Sequence, residues 1–406
     1  MPNRTSATLA TLLLASTMLA GTAAQAADAP SSWASSITFG AQVQGGFTLN
    51  PNAPKTNFGR LFDDKPNTVL LNQVLLTAQR AIDPKATGWE IGFKLQVMYG
   101  SDARYTHFMG LLDNANSSSR NQFDLIEANV TIHAPVLTAG GIDLKLGAYA
   151  TPIGFETIDP STNPFYSHSY IFNFGLPLKH TGALAVVHAS EMLDVYLGVD
   201  TGVNTTFGKR GDNNGAIAGI GGFLVTLMEG KLTALALTHI GPENSARLVP
   251  NADKYMRYLN DVVVTFKPND TWTFVSDFNY IKDDFANADA YGFAQYVSYA
   301  MSPTITLNAR AELFADSKNF FVASFPGTRD FVNAELGLPA TITSAPKGTT
   351  YGGLTLGFTY KPETPIKGLM VRPEIRYDRS MSGSRPFNSG KDKDSITVAS
   401  DIVLTF

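Results

Sequence analysis

The sequence contains no cysteine, and its 406 residues carry a formal net charge of −4. Without thiols the chain can form no disulfide, no thiolate metal site and no cysteine nucleophile, and it offers no cysteine for lipid attachment. The slight acidic excess argues against a nucleic-acid-binding protein, which needs a basic surface. We therefore expect no nucleic-acid partner and no cofactor.

The sequence also lacks, beyond its first 26 residues, any apolar run of about eighteen residues, so membrane insertion would have to use strands. Residues 1–26 hold Arg4, a short apolar stretch over 9–20 and small residues up to Ala26. This order is typical of a cleaved secretory signal peptide. We expect cleavage after Ala26, which leaves 27–406 as a single exported domain.

Apolar and polar side chains alternate along many segments, as they do in strands with one apolar face. In 123–133, for example, Ile126 and Val130 share the apolar face, while Glu127 and Asn129 lie on the polar face. In a bilayer, each Lys or Arg turned toward lipid would cost ~2 to 4 kcal/mol, so the charged face should line water. Alternation alone also fits a soluble β-sandwich.

The spacing of these segments favours an all-β transmembrane antiparallel barrel of about sixteen strands, with fourteen or eighteen as alternatives. Short connections such as 268–270 and 302–303 alternate with long polar connections, and aromatic residues gather near strand ends as in interfacial girdles. The predicted strands are 36–48, 68–81, 87–99, 123–133, 141–149, 179–189, 192–201, 217–227, 231–240, 257–267, 271–282, 290–301, 304–315, 350–361, 368–379 and 394–406. The long connections are 49–67, 100–122, 150–178, 202–216, 241–256, 316–349 and 380–393.

One proline conflicts with this pattern. Pro373 lies inside the fifteenth predicted strand and cannot donate a ladder hydrogen bond. A closed barrel has no edge strand that tolerates a missing donor, so we expect a bulge there or a later strand start.

The last strand carries apolar residues on one face, including Ile396 and Ile402, and reaches Phe406. This resembles the C-terminal β-signal of bacterial outer-membrane proteins, whose final Phe is recognised by the barrel-assembly machinery. The resemblance predicts Phe406 as an assembly signal, with the assembly machinery and outer-membrane lipids as partners.

Two short elements follow the fifth strand, Pro152-x-Gly154-x-Glu156 and Pro177-x-x-x-Thr181-Gly182. They resemble the OmpL-like family of bacterial outer-membrane β-barrel porins, and the resemblance covers essentially the whole mature chain. It implies a water-filled channel in the outer membrane for passive diffusion of small polar solutes or ions. Because porins often form trimers, a homotrimer is one expected assembly.

In many porins the third external loop narrows the lumen, and 150–178 is the third long connection. We therefore expect Glu156 and Asp159 to face a basic wall across the narrowest point. The basic residues of this predicted constriction are Lys94, Lys145, Arg310, Arg372 and Arg376. Such an arrangement selects solutes by size and sign. The alternative is that these charges form mutual ion pairs and solvate a broad lumen.

Two other functions stay open. The six histidines show no metal-ligand spacing, and we predict no metal site and no catalytic residue. A hydrolase built on His168 or His180 with nearby serines and acids is the weaker alternative, because no nucleophile motif accompanies them. A barrel adhesin or structural protein is the other alternative, in which long loops such as 316–349, with Phe320, Phe321, Phe325 and Phe331, bind partners or cover the mouth.

Overall fold

The structure of the protein is a computed structural model that describes residues 33–83, 86–113, 120–322 and 348–406. The chain comprises two compact units, Met1–Thr38 and Phe39–Phe406. In the first unit, the described residues form a 3₁₀ turn at Trp33–Ser36. The predicted signal peptide and residues Phe325 and Phe331 of the long connection 316–349 lie outside the described residues.

Sixteen antiparallel strands form a closed barrel in which consecutive strands pair and β1 also pairs with β16. Every predicted strand is present within three residues of its predicted bounds, so the predicted fold class is confirmed. The strands are β1 (Thr38–Leu49), β2 (Val69–Arg80), β3 (Glu90–Gly100), β4 (Gln122–Ala134), β5 (Ile142–Ala150), β6 (Lys179–Ser190), β7 (Leu193–Asp200), β8 (Ala218–Leu227), β9 (Leu232–Pro242), β10 (Met256–Phe266), β11 (Trp272–Asp283), β12 (Ala288–Ala300), β13 (Ile305–Asp316), β14 (Thr349–Tyr360), β15 (Leu369–Ser380) and β16 (Asp394–Thr405).

Helical turns occur in the connections between strands. The helix α1 follows β3, and no described helix is long and apolar enough to cross a membrane. Among the described residues these turns are α1 (Ala103–Thr106), a single turn at Phe387–Gly390, 3₁₀ turns at Pro160–Thr162, Met228–Gly230 and Ala252–Lys254, and a π turn at Ile171–Gly175.

The barrel wall separates side chains by polarity. On β15, Arg372 and Arg376 point inward and are buried, whereas Ile375 points outward and is exposed. On β16, Asp401 is buried and its neighbour Ile402 is exposed. Because successive side chains of a strand face opposite sides, the charged face lines the interior and the apolar face suits contact with lipid.

A β-bulge changes the predicted faces of β4. Gln96 of β3 pairs with Glu127, but the next residue of β3 pairs with Leu125, so Ile126 is an extra residue. An extra residue reverses the alternation on either side of it. The expectation that Ile126 shares the outward face with Val130 is therefore wrong, because Ile126 is 1% exposed and Val130 is 42% exposed.

The bulge or late strand start expected at Pro373 is also wrong. Pro373 lies within β15 and keeps the register of this strand with β16. Toward β14, Glu374 pairs with Gly357 and Val371 pairs with Tyr360. The two residues of β15 between them have no paired residue on β14, but the register of the two strands is the same before and after this gap. The missing donor therefore interrupts the β14–β15 ladder without shifting it.

Candidate functional site

The connection between β5 and β6, residues 151–178, crosses the interior of the barrel, and we call it the crossing segment. Asn279 of β11, Arg372 of β15 and Gln73 of β2 each donate a hydrogen bond to one of its backbone carbonyls. In the ring of sixteen strands, β13 and β14 lie opposite β5 and β6. Contacts on both sides of β13 therefore place the crossing segment across the lumen.

Arg310 of β13 is at the centre of this contact. Its Nη1 donates to Glu156 Oε1 at 2.7 Å and to the Ser167 carbonyl at 2.8 Å, and its Nη2 donates to the Ser167 hydroxyl at 3.1 Å. The hydroxyl of Tyr296 on β12 donates to the same oxygen of Glu156 at 3.0 Å. Arg310 and Glu156 are 0% and 4% exposed, so they form an ion pair away from bulk water.

Glu156 is charged despite this burial. Burial alone would raise the pKa of Glu156, but the nearby Arg310 and His168 and the backbone N–H of Ser169 lower it to about 2. His168 Nδ1 lies 3.0 Å from Glu156 Oε2, and the Ser169 N–H donates to the same oxygen at 2.9 Å. Glu156 thus binds the wall and its own segment as a carboxylate.

Two arginines of β15 hold the rest of the crossing segment through its backbone. Arg372 Nη1 donates to the carbonyls of Pro160 at 2.7 Å and Asn163 at 2.6 Å, and Arg376 Nη1 donates to the His168 carbonyl at 2.6 Å. Charged donors make the stronger hydrogen bonds in proteins. The remaining guanidinium nitrogens lie near wall carboxylates, which are Asp401 for Arg372 and Glu312 and Asp378 for Arg376.

Wall carboxylates bind the backbone N–H groups of the same segment. Glu374 of β15 accepts from Tyr166 N at 2.9 Å, and Glu312 of β13 accepts from Tyr170 N at 2.7 Å. Glu312 and Glu374 were not predicted from the sequence as site residues. The available signal was the strand alternation, which places them on the same face as the arginines of β13 and β15.

The crossing segment also packs closely against β1 and β2. Tyr166 is buried, and its hydroxyl donates to Asn72 of β2 at 3.1 Å. A Cβ atom on Gly46 of β1 would overlap the ring of Tyr166, so this wall position requires glycine. Close packing therefore complements the ion pairs on the other side of the lumen.

The predicted constriction residues lie in different places. Glu156 and Arg310 meet directly, while Arg372 and Arg376 hold other parts of the crossing segment. Asp159 accepts hydrogen bonds from Gln42 at 3.0 Å and from Ser161 N at 2.9 Å. The two lysines belong to the wall: Lys94 of β3 pairs with Glu127 at 2.6 Å, and Lys145 of β5 lies 5.9 Å from the ring centre of Tyr149. A shared role in a constriction stays a prediction.

Two other connections also enter the interior, and the sequence pattern did not indicate this. Between β1 and β2, Arg60 pairs with Asp63 and with Asp378 of β15, each at 2.6 Å. After β3, Arg104 of α1 pairs with Asp64 at 2.9 Å. These buried pairs fix the β1–β2 and β3–β4 connections beside the crossing segment.

A cavity of about 520 Å³ lies between the crossing segment and the barrel end that carries the short connections, and we call it the vestibule. Its lining is mostly hydroxyl and amide groups, including Ser161, Thr162, Asn163, Thr233, Ser298, Asn308 and Thr359. Among the described lining residues, the charged ones are Lys267 and Lys361, which follow β10 and β14 and are exposed.

A family model described as "Putative beta-barrel porin-2, OmpL-like" matches residues 36–406. A comparison with the sequences of curated proteins gives no significant match.

Similar solved structures include the outer membrane channel DcaP of Acinetobacter baumannii, with 13% identity, 91% of this chain and 97% of that chain covered, and a TM-score of 0.57. An anion-selective porin from Comamonas acidovorans has 11% identity, coverage of 91% and 99%, and a TM-score of 0.56. OmpT of Vibrio cholerae in its trimer form has 11% identity, coverage of 91% and 99%, and a TM-score of 0.51. At such identities the likeness concerns the fold.

Proposed function

Since the chain belongs to the OmpL-like beta-barrel porin-2 family, we propose that this outer-membrane porin passes small polar solutes and ions with a preference for anions. The observation that carries the proposal is the polar interior. Side chains such as Arg372 and Asp401 face inward, whereas Ile375 and Ile402 face outward. A polar lumen inside an apolar outer surface supports a water-filled passage.

The vestibule supports the preference for anions. The arginines that hold the crossing segment are matched by carboxylates, as Arg310 is by Glu156 and Arg372 by Asp401, so their fields largely cancel at a distance. Lys267 and Lys361 have exposed side chains on the vestibule. Charge of one sign along a cleft raises the local concentration of ions of the opposite sign.

We further propose that the crossing segment forms the narrowest part of the lumen. The side chains of Arg310, Arg372 and Arg376 are each at most 1% exposed, so they act on solutes by fixing the segment and not by direct contact. Asp159 lies near the edge of the vestibule. It accepts a hydrogen bond from the N–H of Ser161, and Ser161 lines the vestibule. Lys94 and Lys145 then contribute to the charge of the wall.

Export and assembly are further parts of the proposal. Residues 1–26 act as a signal peptide cleaved after Ala26, which N-terminal sequencing of the membrane-extracted protein tests. The barrel contacts outer-membrane lipids and reaches the membrane through the barrel-assembly machinery. A homotrimer is proposed by analogy with the trimer form of Vibrio cholerae OmpT, and native mass spectrometry tests it.

We propose no catalytic role for the histidines and serines of the crossing segment. The Ser167 hydroxyl accepts a hydrogen bond from Arg310, and His168 is held by Glu156 while its ring stacks on Phe172, with 4.0 Å between centroids. The Ser167 hydroxyl and the His168 imidazole, which a hydrolase would need as reactive groups, are therefore engaged in structural contacts.

Liposome swelling tests the proposed function. Liposomes with the refolded protein should swell in isotonic solutions of small sugars and more slowly with larger oligosaccharides, while protein-free liposomes should not swell. Swelling no faster than in protein-free liposomes would contradict the channel and favour the adhesin alternative.

A further inference from the structure

Three buried side chains from β6, β7 and β9 meet on the inner face of the wall. His180 Nδ1 lies 3.1 Å from Asp200 Oδ2, and His239 Nε2 lies 3.1 Å from Asp200 Oδ1. One nitrogen or oxygen atom from each of the three residues lies within 4.8 Å of the others. The three residues are 2% exposed or less in their side chains, so they form a cluster shielded from solvent.

We propose that His180, Asp200 and His239 bind a divalent transition-metal ion, for which Zn²⁺ is the reference case. In a tetrahedral zinc site with bonds of about 2.0 to 2.2 Å, neighbouring ligand atoms are separated by about 3.3 Å. The observed distances of 3.1 Å between the imidazole nitrogens and Asp200 are close to that separation. Two imidazoles and one carboxylate are a ligand set that zinc accepts, with a fourth position left for water.

An unmet hydrogen-bonding requirement supports this site independently. His180 Nδ1 is buried, and although it lies 3.1 Å from Asp200 Oδ2, the two atoms lack the alignment of a good hydrogen bond. A buried polar atom without a partner is destabilising, and a metal ion placed between the two atoms would bind both.

Outer contacts orient His180 and Asp200. The other nitrogen of His180, Nε2, lies 3.0 Å from the Thr151 hydroxyl. Metal-bound histidines commonly have such a partner on the second nitrogen, which fixes the tautomer and the ring orientation. The Gly202 N–H donates to Asp200 Oδ1 at 2.8 Å and holds that carboxylate in place.

The charge of the cluster also suits a divalent ion. Asp200 and Glu243 are both buried, and Glu243 Oε1 has no hydrogen-bond partner among the described residues. The nearby Arg257 is engaged with Asp283 at 2.8 Å. A divalent cation held by neutral imidazoles would balance both carboxylates, which are costly to bury without compensation.

The chain offers a matched control on the same strand. His188 of β6 also lies between two carboxylates, at 2.8 Å from Asp194 Oδ1 and 3.2 Å from Asp143 Oδ2. Its side chain is 27% exposed, so it lacks the enclosure of the proposed site. Replacing His188 removes a histidine and its carboxylate contacts without touching His180, Asp200 or His239.

Zn²⁺ and Co²⁺ binding to the metal-stripped, detergent-refolded protein tests the proposal. We expect one tightly bound Zn²⁺ per chain, a rise in the thermal unfolding midpoint with Zn²⁺, and the visible absorption of four-coordinate Co²⁺. His239→Gln and Asp200→Asn should each weaken Zn²⁺ binding at least tenfold, and His188→Gln should leave it unchanged.

Absence of Zn²⁺ binding to the folded wild-type protein would overturn the proposal and identify a metal-free cluster of two histidines around Asp200. An equal loss of affinity in His188→Gln would also overturn it, because binding would then be a property of histidines in general. If a variant fails to fold, the Co²⁺ spectrum of the wild-type protein still tests the proposal. Strong visible absorption indicates the four-coordinate site, whereas the weak absorption of six-coordinate surface binding would overturn it.

Discussion

Arg310 on β13 and Glu156 on the crossing segment form a buried ion pair with 2.7 Å between Nη1 and Oε1. In the ring of strands, β13 lies opposite β5, from which the segment starts. The pair therefore fastens Glu156, near the start of the segment, to the far wall of the barrel. In the constriction proposed above, this contact and those of Arg372 and Arg376 set the width of the passage.

Arg310→Ala should release the crossing segment. The variant leaves Glu156 buried without its guanidinium partner, and breaking a buried pair costs about 3 to 5 kcal/mol. We expect larger and noisier single-channel currents and a lower free energy of unfolding in guanidinium chloride. The control is Arg379→Ala, since Arg379 and Asp394 are about half exposed and exposed ion pairs contribute little to stability. Unchanged current amplitude and noise in Arg310→Ala would contradict the role of the pair.

Acid should weaken the same contact. The pKa of Glu156 is lowered from an ordinary value of 4.5 to about 2, so its stabilising effect is complete above 4.5 and is lost as the pH falls toward 2. Current noise in the wild-type channel should rise over this range. In Glu156→Gln, noise should already be high at neutral pH and should change less with acid. An identical pH profile for both proteins would exclude Glu156 as the group responsible.

The vestibule lysines should set ion preference. Replacing Lys267 and Lys361 together with alanine removes the charged groups among its described lining residues, so the anion-to-cation permeability ratio should fall by roughly twofold or more. The ratio follows from the reversal potential in a salt gradient. Lys254→Ala is the control, because Lys254 lies in the β9–β10 connection at the other end of the barrel. The prediction fails if the double variant and the control have the same ratio.

Phe406 should matter for assembly more than for stability. Its N–H donates to the Ala41 carbonyl at 2.8 Å, while its ring is 60% exposed. We propose that this ring is bound by the barrel-assembly machinery. Phe406→Ala should reduce the folded protein in cellular outer membranes, measured by heat-modifiable gel mobility, without affecting refolding in detergent. Phe39→Ala, at an exposed phenylalanine of β1, is the control, and equal losses in both variants would contradict a specific signal.

The strands could be predicted because the two faces of each strand lie in different environments: one faces the polar interior of the barrel and the other faces outward. On β15, Arg372 and Arg376 face the interior and Ile375 faces outward, and this contrast is visible in the sequence itself. The inward turn of Ile126 could not be predicted, because the bulge that causes it depends on the pairing of β4 with β3. The interruption of the ladder at Pro373 likewise depends on how β15 pairs with β14 and β16.

The site was predictable only in part. The sequence predicts Glu156 opposite a basic wall that includes Arg310, but it does not predict their direct contact. It also does not identify Glu312 or Glu374 as partners of the segment. The cluster of His180, Asp200 and His239 shows no motif, because its members lie on three strands and meet only through the barrel register. Such contacts are set by tertiary structure, which local patterns do not encode.

Single-channel recording of refolded residues 27–406 in a planar bilayer under a salt gradient tests the central claim most directly. We predict stable, large conductance steps and a reversal potential on the anion side. Absence of steps from protein that circular dichroism shows to be a folded β-barrel would contradict a water-filled channel.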